Sequence, residues 1–254
     1  MPTKTPPNNN EQLTRALARV DVWRGFRLAE QAVPVTAEST GFGELDNHLR
    51  SGGWPSDGLV DIALQHYGSE WLLWLPWLQS QMQAGHTVAL LSPPWLPYAA
   101  SLVSAGVNLD QLLIVTPQNN AQWLASWRDI AKANLCVGVL AWAQTLSYPE
   151  LRKCHLLASD STGVFAVHRP WLSQRQSSPA TLRLALSWRQ SHLNCQLLKQ
   201  KGCVAGQDIQ LQPPSAIAAL WQEFGPYQVS TKEHARKRDQ RRADVLAFTQ
   251  KSGV

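Results

Sequence analysis

Apolar residues along this chain fall into short unbroken runs, separated by longer stretches where they recur every three or four positions. The runs occupy residues 58–64 (GLVDIAL), 87–92 (TVALLS), 112–115 (LLIV), 136–142 (CVGVLAW) and 163–168 (GVFAVH). Continuous apolar runs of this length suit strands buried on both faces. The periodic stretches predict helices over 70–84, 98–105, 119–133 and 148–159. The first presents Trp71, Trp74, Leu75, Leu78 and Met82 to one side, and the third presents Trp123, Trp127 and Ile130. Pro76 either sits early in the first of these helices or delays its start to near Leu75. Strand and helix in alternation predict an α/β fold, a mostly parallel sheet with helices on both faces.

Past Pro170 the period changes. Residues 181–188 and 194–198 alternate, with a turn near 189–191, which predicts an antiparallel hairpin closing one edge of the sheet. Residues 208–211 form a further short strand candidate and 215–224 a short helix, with weak packing expected from residue 200 onward. At the other end, residues 1–12 are rich in Pro and Asn and are expected to be disordered. Residues 11–30 have a helical period through Leu13, Leu17 and Val20, with Arg15, Arg19, Arg24 and Arg27 on the other faces. The resulting division is a starting segment and helical arm at 1–38, a core at 39–202, and an extension with a basic tail at 203–254.

Composition alters this picture in three places. Tryptophan outnumbers the other aromatics, at 12 Trp against 5 Phe and 4 Tyr. Trp71, Trp74, Trp123 and Trp127 are therefore read in two ways, as core packing or as anchors for a protein partner. The formal net charge is +5, and residues 232–242 carry six basic against two acidic side chains. Arg236, Lys237, Arg238, Arg241 and Arg242 make this tail a solubilising segment, a sequence-independent DNA contact, or a ligand for an acidic protein groove. The four cysteines (136, 154, 195 and 203) make no CxxC pair, so buried thiols in a reducing compartment are expected and no metal site. No window spans a bilayer and no apolar leader opens the chain, which predicts a cytoplasmic protein.

Candidate chemistry lies after the first strand. A phosphate-binding loop there needs a glycine-rich turn ending in Lys and Ser/Thr, the lysine for the phosphates and the hydroxyl for magnesium. Residues 65–71 read QHYGSEW: one glycine, no lysine, and in Glu70 a carboxylate where phosphate would sit. Backbone N–H groups at the start of the following helix could attract an anion, but Glu70 counts against that. The loop Tyr67, Gly68, Ser69, Glu70 is thus read as a degenerate nucleotide site holding no cofactor. Asp46 fits a helix interior or turn and Asp61 a strand rim, His66 has no partner placed by a motif, and Arg169 is either an interface ion-pair residue or a satisfied loop charge. No catalytic residue is assigned.

The order of these elements from residue 39 to 115 resembles the RecA core: Ser39-Thr40-Gly41 with Leu45-Asp46, then Gly52-Gly53-Trp54-Pro55, then residues 58–62 and 105–113. More specifically, the chain is similar to the ImuA family, degenerate RecA relatives of bacterial mutagenesis cassettes. The similarity rests on residues 40–59 (TGFGELDNHLRSGGWPSDGL), 92–102, 138–142, 168–170 and 177–186, and covers roughly 39–202. The resemblance implies a RecA-like sheet with a degenerate phosphate loop. It also implies a non-enzymatic part in SOS-induced translesion DNA synthesis and mutagenesis, beside ImuB (a Y-family-like polymerase homologue) and a DnaE-type polymerase, with RecA as a further contact. Where a RecA-type ATPase places its water-orienting glutamate, this chain has Ser92-Pro93-Pro94. Where an Asp should help hold magnesium, it has residues 138–142, GVLAW. Residues 70–170 are also similar to the division inhibitor SulA, which makes a SulA-like inhibitor the alternative reading.

Overall fold

The computed structural model describes residues 37–95, 97–189, 192–200 and 206–213. Its centre is an eight-stranded sheet. The strands are β1 (Leu59–Leu64), β2 (Val88–Leu91), β3 (Leu112–Val115), β4 (Gly138–Trp142), β5 (Val164–Pro170), β6 (Leu182–Arg189), β7 (His192–Gln200) and β8 (Asp208–Leu211). They lie in the order β3-β2-β4-β5-β1-β6-β7-β8. The first six in that row are parallel, and β7 and β8 are each antiparallel to their neighbour. The fold is therefore α/β with a mixed, mostly parallel sheet flanked by helices, an architecture of Rossmann-like kind.

The helices are α1 (Gly43–Asp46), α2 (Ser69–Gln83), α3 (Ala99–Ser104), α4 (Asn120–Ala133) and α5 (Tyr148–Ser159). Residues of α1, α2 and α3 share a hydrophobic core with Val60, Ile62 and Leu64 of β1. Residues of α4 and α5 share a second core with Leu59, Phe165 and Val167. Alternate residues of β1, β2, β4 and β5 thus feed two cores, which is why these strands read as continuous apolar runs. β3, at the sheet edge, leaves Leu113 and Ile114 exposed, against the expectation of burial on both faces.

The ends of the elements follow local chemistry. Asn119 caps α4, its side chain accepting from Gln122 N at 2.9 Å, and the helix closes on Asn134 in the left-handed region. Ser147 and Glu150 form a reciprocal capping box at the start of α5. Pro76 lies within α2, which runs unbroken from Ser69; of the two sequence readings, the later start is the one set aside. The approach of Pro76 to Gly41 leaves no room there for a Cβ. Thr40 does not cap α1: Phe42 holds that position without a side-chain cap, and Asp46 instead accepts from Ser39 Oγ and Thr40 N.

The hairpin of β6 and β7 has the antiparallel pairing the alternation predicts, but it does not end the sheet. β8 pairs along β7 and buries Ile209 and Leu211, so the expectation of weak packing from residue 200 onward fails at 208–211. The expected helices at 11–30 and 215–224, Cys203 and the basic tail lie outside the described residues. Among those described, Cys136, Cys154 and Cys195 are buried free thiols, no group of side chains is suited to a metal ion, and no helix is long and apolar enough to cross a membrane.

Candidate functional site

The loop after β1 reaches α2 through Gly68, whose φ of 104° lies in a region that glycine enters without strain. Gly68 itself is exposed at that turn, and its N–H meets the side chain of Glu70. The Glu70 carboxylate accepts from Gly68 N at 2.6 Å through Oε2, and from the Trp142 indole Nε1 at 2.9 Å through Oε1. Glu70 is fully buried. Burial raises its carboxyl above the usual range, and hydrogen bonds from its own backbone N–H, Trp142 and Gly68 oppose that shift. The start of a helix favours an anion. Here that anion belongs to the protein.

Trp142 ends β4, and its register partner in β5 is His168. The two rings stack with centroids 4.7 Å apart. His168 Nδ1 donates to the Ala141 carbonyl at 2.9 Å, and Nε2 accepts from Trp74 Nε1 at 2.7 Å, which fixes the neutral tautomer. Burial pushes the imidazole down to about 4. Trp74 in turn stacks on Trp54 at 4.3 Å and meets Trp77 edge-on at 5.6 Å. Trp77 donates its indole N–H to Glu38. A file of aromatic rings therefore runs through the core between two carboxylates, Glu38 at one end and Glu70 at the other.

The mouth of this site is covered by Tyr67. Its hydroxyl accepts from Gln144 Nε2 at 3.2 Å, and its ring meets the exposed Trp95 edge-on at 6.2 Å. Partial burial raises the Tyr67 phenol above its ordinary value, an effect the Gln144 contact opposes. Ser69 turns away, its hydroxyl donating to the His66 carbonyl at 2.8 Å. Ser92, at the end of β2, has a φ of 57° and donates its N–H to the Val115 carbonyl at 2.7 Å. No lysine or arginine stands among Tyr67, Gly68, Ser69, Glu70, Ser92, Trp142 and Gln144. Among these described residues the arrangement holds its own carboxylate and supplies no cation for a phosphate.

Of the tryptophans proposed as partner anchors, Trp74 and Trp127 are fully buried and Trp123 nearly so. They are core residues and not partner anchors. Trp123 stacks on Trp127 at 5.5 Å and donates its indole N–H to the Trp142 carbonyl, on the opposite face from Trp74. Trp71 is half-buried, tilted against Trp142 at 5.9 Å.

Arg169 is neither an interface residue nor a loop charge. It is buried in β5, and its Nε and Nη2 donate to Asp61 at 2.9 and 2.8 Å. Asp61 is equally buried, not on a strand rim, and also accepts from Arg183 Nε at 3.1 Å. The signal in the sequence was an acid in the middle of one apolar strand and an arginine early in another. Only strand register, with Asp61 opposite Arg183, brings them together. Arg236, Lys237, Arg238, Arg241 and Arg242 lie outside the described residues.

No protein-family profile matches the chain, and no curated protein is similar to it at a significant level.

Proposed function

We propose that this protein is a non-catalytic, RecA-like adaptor of SOS-induced translesion DNA synthesis, working with ImuB and a DnaE-type polymerase and contacting RecA. The observation that carries the non-catalytic half is Glu70, whose carboxylate takes the Gly68 N–H and the Trp142 indole N–H. A phosphate bound at the start of α2 would have to displace it and then sit beside a negative charge. Phosphoryl transfer depends on cations and positioned donors around the phosphates. The ends of β1, β2 and β4 offer Tyr67, Glu70, Ser92 and Trp142 instead. Indoles and a phenol replace the charges, so the frame of a nucleotide site is used as packing.

The adaptor half rests on the resemblance of residues 39–202 to the ImuA family and on the element order that follows it. A mostly parallel sheet with the loop-bearing β1 set between β5 and β6 is compatible with that reading. The test is co-purification of the full chain with ImuB, the DnaE-type polymerase and RecA at mild salt, repeated with deletions of residues 1–30 and 214–254. The second deletion spares β8 and so leaves the sheet whole. Retention of ImuB by the full chain, reduced by one deletion, supports the reading. Failure of the full chain to retain any of the three removes it.

A further inference from the structure

Under the segment that joins β5 to β6, four charged side chains form a row across four adjacent strands: Arg169 of β5, Asp61 of β1, Arg183 of β6 and Lys199 of β7. Register places Arg183 opposite Asp61 on one side and opposite Lys199 on the other. Asp61 carries both guanidiniums, that of Arg169 at 2.8 Å and that of Arg183 at 3.1 Å. Each cation also donates once to an uncharged oxygen of the covering segment. Arg169 Nη1 donates to Gln176 Oε1 at 3.1 Å, Arg183 Nη2 to the Ser173 carbonyl at 3.0 Å, and Lys199 Nζ to the Ser178 carbonyl at 3.0 Å. Among the described residues, two guanidiniums therefore pair with one carboxylate, and Lys199 adds a third positive charge that donates to a carbonyl.

The buried part of the row, two guanidiniums on one carboxylate, is stable only when compensated, and neutral carbonyls compensate it in part. Lys199 registers the imbalance: its amine is held below the ordinary lysine value, by burial first and then by Arg183, with Asp61 opposing. Ser173, whose carbonyl already holds Arg183, also keeps a buried hydroxyl with no partner among the described residues. Guanidinium, ammonium and hydroxyl donors in one place, with positive charge in excess, match a tetrahedral oxyanion.

We propose that the Arg183–Lys199 end of this row is a binding site for a phosphate-class oxyanion. Arg183 forms its nearly buried floor, and Lys199, an exposed residue, its rim. The phosphate group can arrive free or as a phosphodiester of a single nucleic-acid strand, and the site is independent of the Glu70 loop.

The test is thermal unfolding of the full chain at constant ionic strength, with sodium phosphate replacing chloride in one arm and a short oligothymidylate added in another. The wild type, Lys199→Gln and Lys199→Arg are compared; both changes are at the rim, so the variants keep the buried Asp61 pairs. The expected result is a saturable rise in Tm, with an apparent affinity about tenfold weaker in Lys199→Gln and restored in Lys199→Arg. A rise with phosphate alone identifies the free anion as ligand. A rise with the oligonucleotide too, lost in the same variant, identifies the phosphodiester. A Tm that does not change when phosphate replaces chloride, or that rises equally in all three proteins, overturns the proposal.

Discussion

Glu70 and Trp142 provide a quantitative test of the closed loop. In Glu70→Ala the Gly68 N–H and the Trp142 indole N–H both lose their acceptor. The Trp142 indole is buried and costs about 1–3 kcal/mol when left unsatisfied. Gly68 is exposed and its N–H can turn to water, so the variant should lose about 1–3 kcal/mol. Trp142→Phe leaves the carboxylate with one donor fewer, a hydrogen bond to a charged group worth about 1.5–3 kcal/mol, beside some lost ring packing. The double variant should be less destabilised than the sum, because the two changes remove the same bond. Urea denaturation of the wild type, both single variants and the double variant isolates that coupling, expected at about 1.5 kcal/mol or more. The pH dependence adds a sign. Burial raises Glu70, so the folded protein holds that proton more tightly than the unfolded chain does. The resulting stability is fully present below the ordinary carboxyl value and is lost as pH rises through the raised one. The stability of the wild type relative to Glu70→Gln should therefore improve as pH is lowered toward 4.5. Energies additive within about 0.5 kcal/mol, with no such trend, would refute the pairing.

Other expectations follow from the same core. His168 is held at about 4, so its stability is fully present above 6.5 and is lost as pH falls from there toward 4. That interval corresponds to about 3 kcal/mol, and denaturation across pH 4–7 should show it in the wild type and not in His168→Gln. Asp61→Asn strands two buried guanidiniums and should cost about 3–5 kcal/mol by urea denaturation; a loss below about 1 kcal/mol would mean the row is not a paired charge cluster. Trp127→Ala should cost about 3–5 kcal/mol while leaving partner retention by the surviving folded fraction unchanged. Gly163 has a φ of 112° and would press a Cβ onto the Val137 carbonyl, so Gly163→Ala should lower Tm measurably by calorimetry.

The elements were legible in the sequence because each strand buried on both faces is written as an unbroken apolar run. β1, β2, β4 and β5 announce themselves in that way. The helices α2 and α4 were legible from tryptophans three and four residues apart, but the same spacing left Trp74, Trp123 and Trp127 open between core packing and partner anchors. The poverty of the loop was legible too, since a missing lysine is visible without coordinates. What replaces it was not. The partner of Glu70 is an indole 72 residues away, and that of Asp61 a guanidinium 108 residues away. Both pairings depend on register and strand order, which local pattern does not encode. β8 was legible as a strand and not as packed structure, because Ile209 and Leu211 alternate with polar neighbours and bury only one face.

With the Glu70 carboxylate in the anion position at the start of α2, no nucleotide is expected to bind there. The decisive experiment is calorimetric titration of the full chain with Mg-ATP, followed by a phosphate-release assay on the same sample. No saturable heat and no release above background are expected. Saturable binding lost on changing Ser69 or Gly68, accompanied by turnover, would show that the loop is a working nucleotide site.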